Sequence, residues 1–136
     1  MGAVNHECYV SLEVAKLLKQ AGFDWEVNHS YPNISALDNS CSGYMEDLSF
    51  YHNLNDGKYG GLSVPTLEVT QRWLREVKEI EVNVLCVYID HIKKYSYTTF
   101  TNEYKHEIID EGFDTYEEAQ EAGIKKALEI ILEKGE

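Results

Sequence analysis

The chain has 136 residues, enough to bury one core without disulfides or a metal. Hydrophobic residues make up 43% and charged residues 26%, an ordinary globular balance, yet 24 Asp and Glu stand against 12 Lys and Arg, a formal net charge of −12. That excess excludes a general attraction to phosphate backbones or anionic lipid, and it suits solubility or a basic partner.

Three cysteines, Cys8, Cys41 and Cys86, leave one unpaired in any disulfide scheme, which fits a reducing cytoplasm. Near the start, His6 and Glu7 interrupt the apolar run a secretory leader needs, and His6 stands where a myristoylation site prefers Ser or Thr. No apolar run approaches the ~20 residues that cross a bilayer. A cytoplasmic protein without membrane contact is expected. We expect one domain over residues 1–136, with an N-terminal helix and extended segment to residue 64 and an α-β-β-β-α core from residue 65.

Ser11 is the expected N-cap of a helix over residues 12–21, with Val14, Leu17, Leu18 and Ala21 on one apolar face. Gly22 supplies the left-handed stop and Phe23 the apolar residue beyond it. Trp25, Val27, His29 and Tyr31 alternate as in a strand that Pro32 ends, and residues 48–52 are its expected partner. Residues 37–43 are turn-rich, and Asn55-Asp56-Gly57 and Gly60-Gly61 are further turn signals. A structureless stretch as long as residues 24–64 is rare inside a compact domain, so a ribbon or ordered loop over the core is expected.

Thr66 caps a second helix over residues 66–77, which carries Thr70, Trp73, Leu74 and Val77 on one side and leaves Arg72, Arg75, Glu76 and Lys78 to solvent. From Val82 to Ile89 the period becomes two and both faces are largely apolar, which predicts a central strand. Residues 90–93 read as a hairpin loop, 95–100 as a strand with one wet face, Asn102-Glu103 as a turn and 104–109 as a third strand. Thr115 and Glu118 form a capping box for a closing helix over residues 116–132. Its small residues Ala119, Ala122, Gly123 and Ala127 allow close approach to a sheet. The expected fold is α+β: a three-stranded antiparallel sheet with helices on one face, preceded by the N-terminal helix and the ribbon.

The chain has no GxSxG elbow, P-loop or GxGxxG. His6, Glu7 and Cys8, taken with Cys41 or His52, lack the closely spaced ligand pairs of a zinc site. Cys86 with His91 or His106 lacks the exposed, electropositive setting of a catalytic thiol, and its neighbours Val84, Leu85 and Val87 predict core packing. No enzyme activity, catalytic residue, metal or cofactor is therefore expected. One cluster is chemically suggestive. Lys93, Lys94, Tyr95, Tyr97, Phe100, Tyr104 and Lys105 form an aromatic-basic set on the second and third strands. Such a set stacks on bases, pairs across a half-exposed sheet, or binds a protein, since Tyr is enriched at interfaces.

The helix-three strands-helix order of residues 66–133 resembles a double-stranded-RNA-binding domain. That family places basic residues at the start of its last helix, where this chain reads TYEEAQEAG, so the RNA function does not carry over. The segments VSLEVAKLLKQAGFD, PTLEVTQRWLREV and TYEEAQEAGIKKALEII resemble short proteins of gut bacteria of the Bacteroides group and of their phages or integrated elements, a family without an assigned activity. The resulting expectation is a non-enzymatic protein-interaction module, an accessory protein of a phage or mobile element, with an unknown protein partner. An uncovered sheet bearing Tyr also predicts a homodimer. The alternative is a nucleic-acid-linked protein, by the RNA-binding-like fold or by acidic mimicry, and the charge sum argues against direct nucleic-acid binding.

Overall fold

The computed structural model describes residues 8–31, 46–53, 55, 61–102 and 105–134, of which 31, 46–50, 105–111 and 134 are described by their backbone alone. In chain order these residues form α1 (Leu12–Ala21), β1 (Val27–Tyr31), β2 (Glu46–His52), β3 (Leu62–Ser63), α2 (Leu67–Val77), β4 (Glu81–Ile89), β5 (Ile92–Phe100), β6 (Lys105–Phe113) and α3 (Tyr116–Lys134). The fold is α+β, with two three-stranded antiparallel sheets ordered β2-β1-β3 and β4-β5-β6.

The helix ends follow from side chains within a turn of them. Ser11 Oγ accepts from the Val14 amide at 3.3 Å. Gly22 adopts φ 94°, and the amides of Gly22 and Phe23 donate to the carbonyls of Lys19 and Leu18, a Schellman stop that delivers Phe23 into the core. Thr66 Oγ1 accepts from Val69 at 3.1 Å. At α3, Thr115 Oγ1 accepts from the Glu118 amide at 3.1 Å and Glu118 Oε1 accepts from the Thr115 amide at 3.2 Å, so the capping box is complete.

The helix α3 is the shared wall of the molecule. One side meets the β4-β5-β6 sheet, and α1 and α2 pack elsewhere on it. Gly123 makes the first contact possible: a Cβ there would lie 2.7 Å from Val82 Cγ1 and 3.1 Å from Tyr97 Cγ. Toward α2, the buried Gln120 donates to Gln71 Oε1 at 2.8 Å. Toward α1, Glu121 accepts from the Ser11 amide at 2.8 Å and Lys125 pairs with Glu13 at 2.9 Å. Around this wall Val14, Leu18, Phe23, Leu62, Trp73, Leu74, Val82, Ile124 and Leu128 form one continuous apolar core. Trp73 is fully buried and meets Phe23 edge-on at 5.3 Å, a favourable geometry for two ring quadrupoles.

The segment 24–64 contributes the second sheet. β1 lies between β2 and β3, and its register with β2 is broken between Val27 and His29. Asn55 ties this sheet to α1: its amide donates to the Phe23 carbonyl at 3.1 Å and its carbonyl accepts from Ser63 at 3.0 Å. The turn-rich stretch 37–43, Asp56, Gly57, Gly60 and Glu103 lie outside the described residues.

Four expectations need correction. Among the described residues β4 is an edge strand, and β5 is the central one. Two apolar faces mark a strand without saying which neighbours it will have. β5 has no wet face between Ser96 and Thr99, all of which are buried, because these short or helix-covered side chains sit between two flanking strands. The hairpin loop is only Asp90-His91, so Ile92 and Lys93 belong to β5. Val77, the last residue of α2, is 48% exposed, because the helix runs past the edge of the core.

Candidate functional site: the projecting end of the β4–β5 hairpin

The hairpin is regular along nine consecutive pairs, from Glu81 opposite Phe100 to Ile89 opposite Ile92. Asp90 and His91 both have positive φ, 52° and 67°, the backbone of a type I′ turn whose twist matches the strands it joins. Neither is glycine, but Asp and His are among the side chains that enter this region most often.

The helix α3 covers only part of this hairpin. Its first residue, Tyr116, meets Tyr95 edge-on at 6.0 Å, and Gly123 sits over Val82 and Tyr97. Beyond the Cys86–Tyr95 pair the two strands therefore continue past the start of the helix. Leu85, Tyr88, Ile89 and Ile92, at 38%, 70%, 36% and 58% exposure, lie on this projecting end or at its root. Only Tyr51, Val77 and Tyr116 are comparably exposed large apolar residues elsewhere among those described. Cys86 is exposed too, which corrects the expectation that it packs in the core. Alternation placed it on an apolar face, and the helix that would cover that face begins too late in space.

The aromatic-basic set is divided by this geometry. Tyr97 is buried under α3 and is unable to stack on a ligand. Lys93 is exposed, with its ammonium 5.6 Å from the Tyr95 ring centre. Its hydrogen bond to Tyr95, and then the charge of that phenol, raise its pKa. Lys94 is half-buried on the other face, where its ammonium pairs with Asp114 and its stem crosses Gly112, whose absent Cβ would lie 2.6 Å from Lys94 Cβ. Phe100 lies at the far end of β5, opposite Glu81 on one side and Lys105 on the other. Tyr104 lies outside the described residues, and Lys105 is placed by its backbone alone. The structure thus brings Lys93 and Tyr95 together with Cys86 and Tyr88, and separates them from Phe100 and Lys105.

Sequence reasoning missed Leu85, Tyr88, Ile89 and Ile92. The available signal was the apolar residues running on both faces right up to the turn, where a hairpin tip is ordinarily polar.

The clefts offer less chemistry. One of about 480 Å³ lies between α1 and the start of α3. Its carboxylates are already engaged: Glu13 by Lys125, Asp114 by Lys94, Glu118 in the capping box and Glu121 by the Ser11 amide. Another of about 350 Å³ lies against Tyr9, Tyr51, Val64 and Val69. Among the described residues no three His, Cys, Asp or Glu side chains are grouped to hold a metal, and no helix is long and apolar enough to cross a membrane. His6, Glu7 and Cys41 lie outside the described residues. No protein-family model, curated protein or solved structure matches the chain.

Proposed function

We propose that this chain is a non-enzymatic protein-interaction module, of the accessory kind its resemblance implies, that docks through the projecting end of the β4–β5 hairpin. The observation that supports it is the gathering of exposed large apolar side chains on that end, Tyr88 and Ile92 above all, in a molecule whose other surfaces are strongly charged. These side chains crowd one end of a regular ribbon, Tyr88 on one face and Leu85, Ile89 and Ile92 on the other, and such crowding marks an interaction site better than the same residues scattered. Lys93 as the one exposed lysine beside Tyr95 gives little support to direct nucleic-acid binding, which needs several phosphate contacts.

A photoreactive amino acid placed at Tyr88 in the native host, and separately at the exposed Glu129 on α3, tests this reading. An adduct of defined mass from position 88, absent from 129 and weakened by Ile92→Asp, is expected. Equal labelling from both positions, or none from either, sinks it.

A further inference from the structure

The outer edge of β4 is free of any strand among the described residues, and its hydrogen-bonding groups can be assigned. In a two-residue hairpin the residues flanking the turn bond each other, so Ile89–Ile92 is a hydrogen-bonded pair, and alternation makes Val87–Lys94, Leu85–Ser96 and Asn83–Thr98 the next ones. The amides and carbonyls of Val82, Val84, Cys86 and Tyr88 therefore point away from β5. One observation confirms this phase independently: the Gln71 side-chain amide reaches from α2 and donates to the Val82 carbonyl at 2.5 Å. That amide is itself held in place, because Gln71 Oε1 accepts from the buried Gln120.

The open edge is thus bounded. Gln71 closes it at Val82 and the turn ends it at Asp90, which leaves residues 83–89. The midpoint of that stretch is Cys86. Edges of this kind are ordinarily blunted by Lys, Pro or a bulge, and residues 82–89 read VNVLCVYI, without a charge or a proline.

We propose that a second copy of this chain pairs with β4 edge to edge, antiparallel, about a two-fold axis beside Cys86, making one six-stranded sheet. This deepens the proposed function by naming a partner for the same hairpin, and it rests on that hairpin being accessible. The occupant follows from the edge itself. A second copy brings a seven-residue opening of the same length, which fills the edge in a symmetric register with Val84 opposite Tyr88 of the second copy and Cys86 opposite Cys86. A chain of net charge −12 can approach itself here without setting carboxylate against carboxylate. At the ends of the contact, Asp90 of the second copy comes opposite Val82, beside the Gln71 side-chain amide and the Arg75–Glu81 ion pair. A basic peptide, by contrast, finds no carboxylate along residues 82–89. This dimer joins edges, whereas the homodimer expected from the tyrosines joined faces.

Sedimentation velocity of the full chain over rising concentration, beside Cys86→Lys, tests the pairing. The substitution is at an exposed site and sets two ammonium groups opposite each other across the axis. The wild type is expected to dimerise, and the variant to do so at least tenfold more weakly. Register is read in a Cys8→Ser, Cys41→Ser background with a short bifunctional thiol cross-linker. Cross-linking is expected at Cys86 and is expected to vanish when the thiol is moved by Cys86→Ser with Ile89→Cys, since that position is offset from its own copy by about 20 Å. A wild-type monomer at the highest concentration, a dimer indifferent to Cys86→Lys, or equal cross-linking from position 89 overturns the proposal. None of these results touches the adduct expected at position 88, so the two readings fail separately.

Discussion

The two ends of the β4–β5 hairpin both carry apolar and aromatic residues and have opposite fates. At one end Val82, Tyr97 and Thr99 are buried beneath α3. At the other, Cys86, Tyr88, Ile89 and Ile92 stand in water. The strands are equally regular at both ends, and no break in pairing separates them. What differs is a third element: α3 begins at Tyr116, beside Tyr95, and covers only what lies on one side of that point. On the face that carries Val82, Cys86, Tyr88 and Tyr97, burial is decided by the reach of the covering helix, whereas Ile89 and Ile92 lie on the opposite face of the ribbon.

That contrast can be broken from the buried side first. Gly123→Val forces methyl groups into Val82 and Tyr97, and a loss of about 2–3 kcal/mol is expected in denaturant unfolding. A loss under ~0.5 kcal/mol would show that α3 does not seat on the sheet as described. The projecting side responds to its turn. His91→Gly removes a side chain from a left-handed position, and the net gain, after the added freedom of glycine in the unfolded chain, is about 0.5–1 kcal/mol. Because that end can open without the core, the gain is expected as slowed amide exchange in residues 85–95 with little change in the global midpoint. The smallest effect sharpens the comparison most. Tyr88→Ser with Ile92→Thr removes apolar surface that is already wet, so stability is expected to change by no more than ~0.5 kcal/mol. A loss above ~1 kcal/mol would mean that this end is packed after all.

Much of the molecule was legible because its determinants are local. Ser11, Gly22, Thr66 and the Thr115–Glu118 pair act within a single turn of chain, so the sequence window that contains them contains their physics. Gly123 was legible as a close approach, since a run of small residues on a long helix has few other uses. The edge position of β4 and the exposure of Cys86 were not legible, because both depend on which strands and helices arrive from elsewhere. Alternation tells which residues share a face and carries nothing about what covers it. The two-residue turn was hidden for a different reason: Asp90-His91 lacks the glycine that usually announces it.

The same division between near and far has a bearing on how the chain reaches this structure. The hairpin and its turn are made of contacts between near neighbours in the chain, with a register already fixed at the turn, whereas α3 reaches back both to the hairpin and to Ser11 and Glu13. The residues before α1, and β1, are held otherwise: the Leu67 amide donates to the Cys8 carbonyl, Val10 donates to Pro65, and Val64 donates to His29. Each of these closes a loop of more than thirty residues, an entropic cost that the burial of Phe23 against Trp73 helps to offset. The chain is therefore expected to assemble from its C-terminal half toward its start, with the β4 edge formed, and unaccompanied, before the N-terminal half has been gathered in.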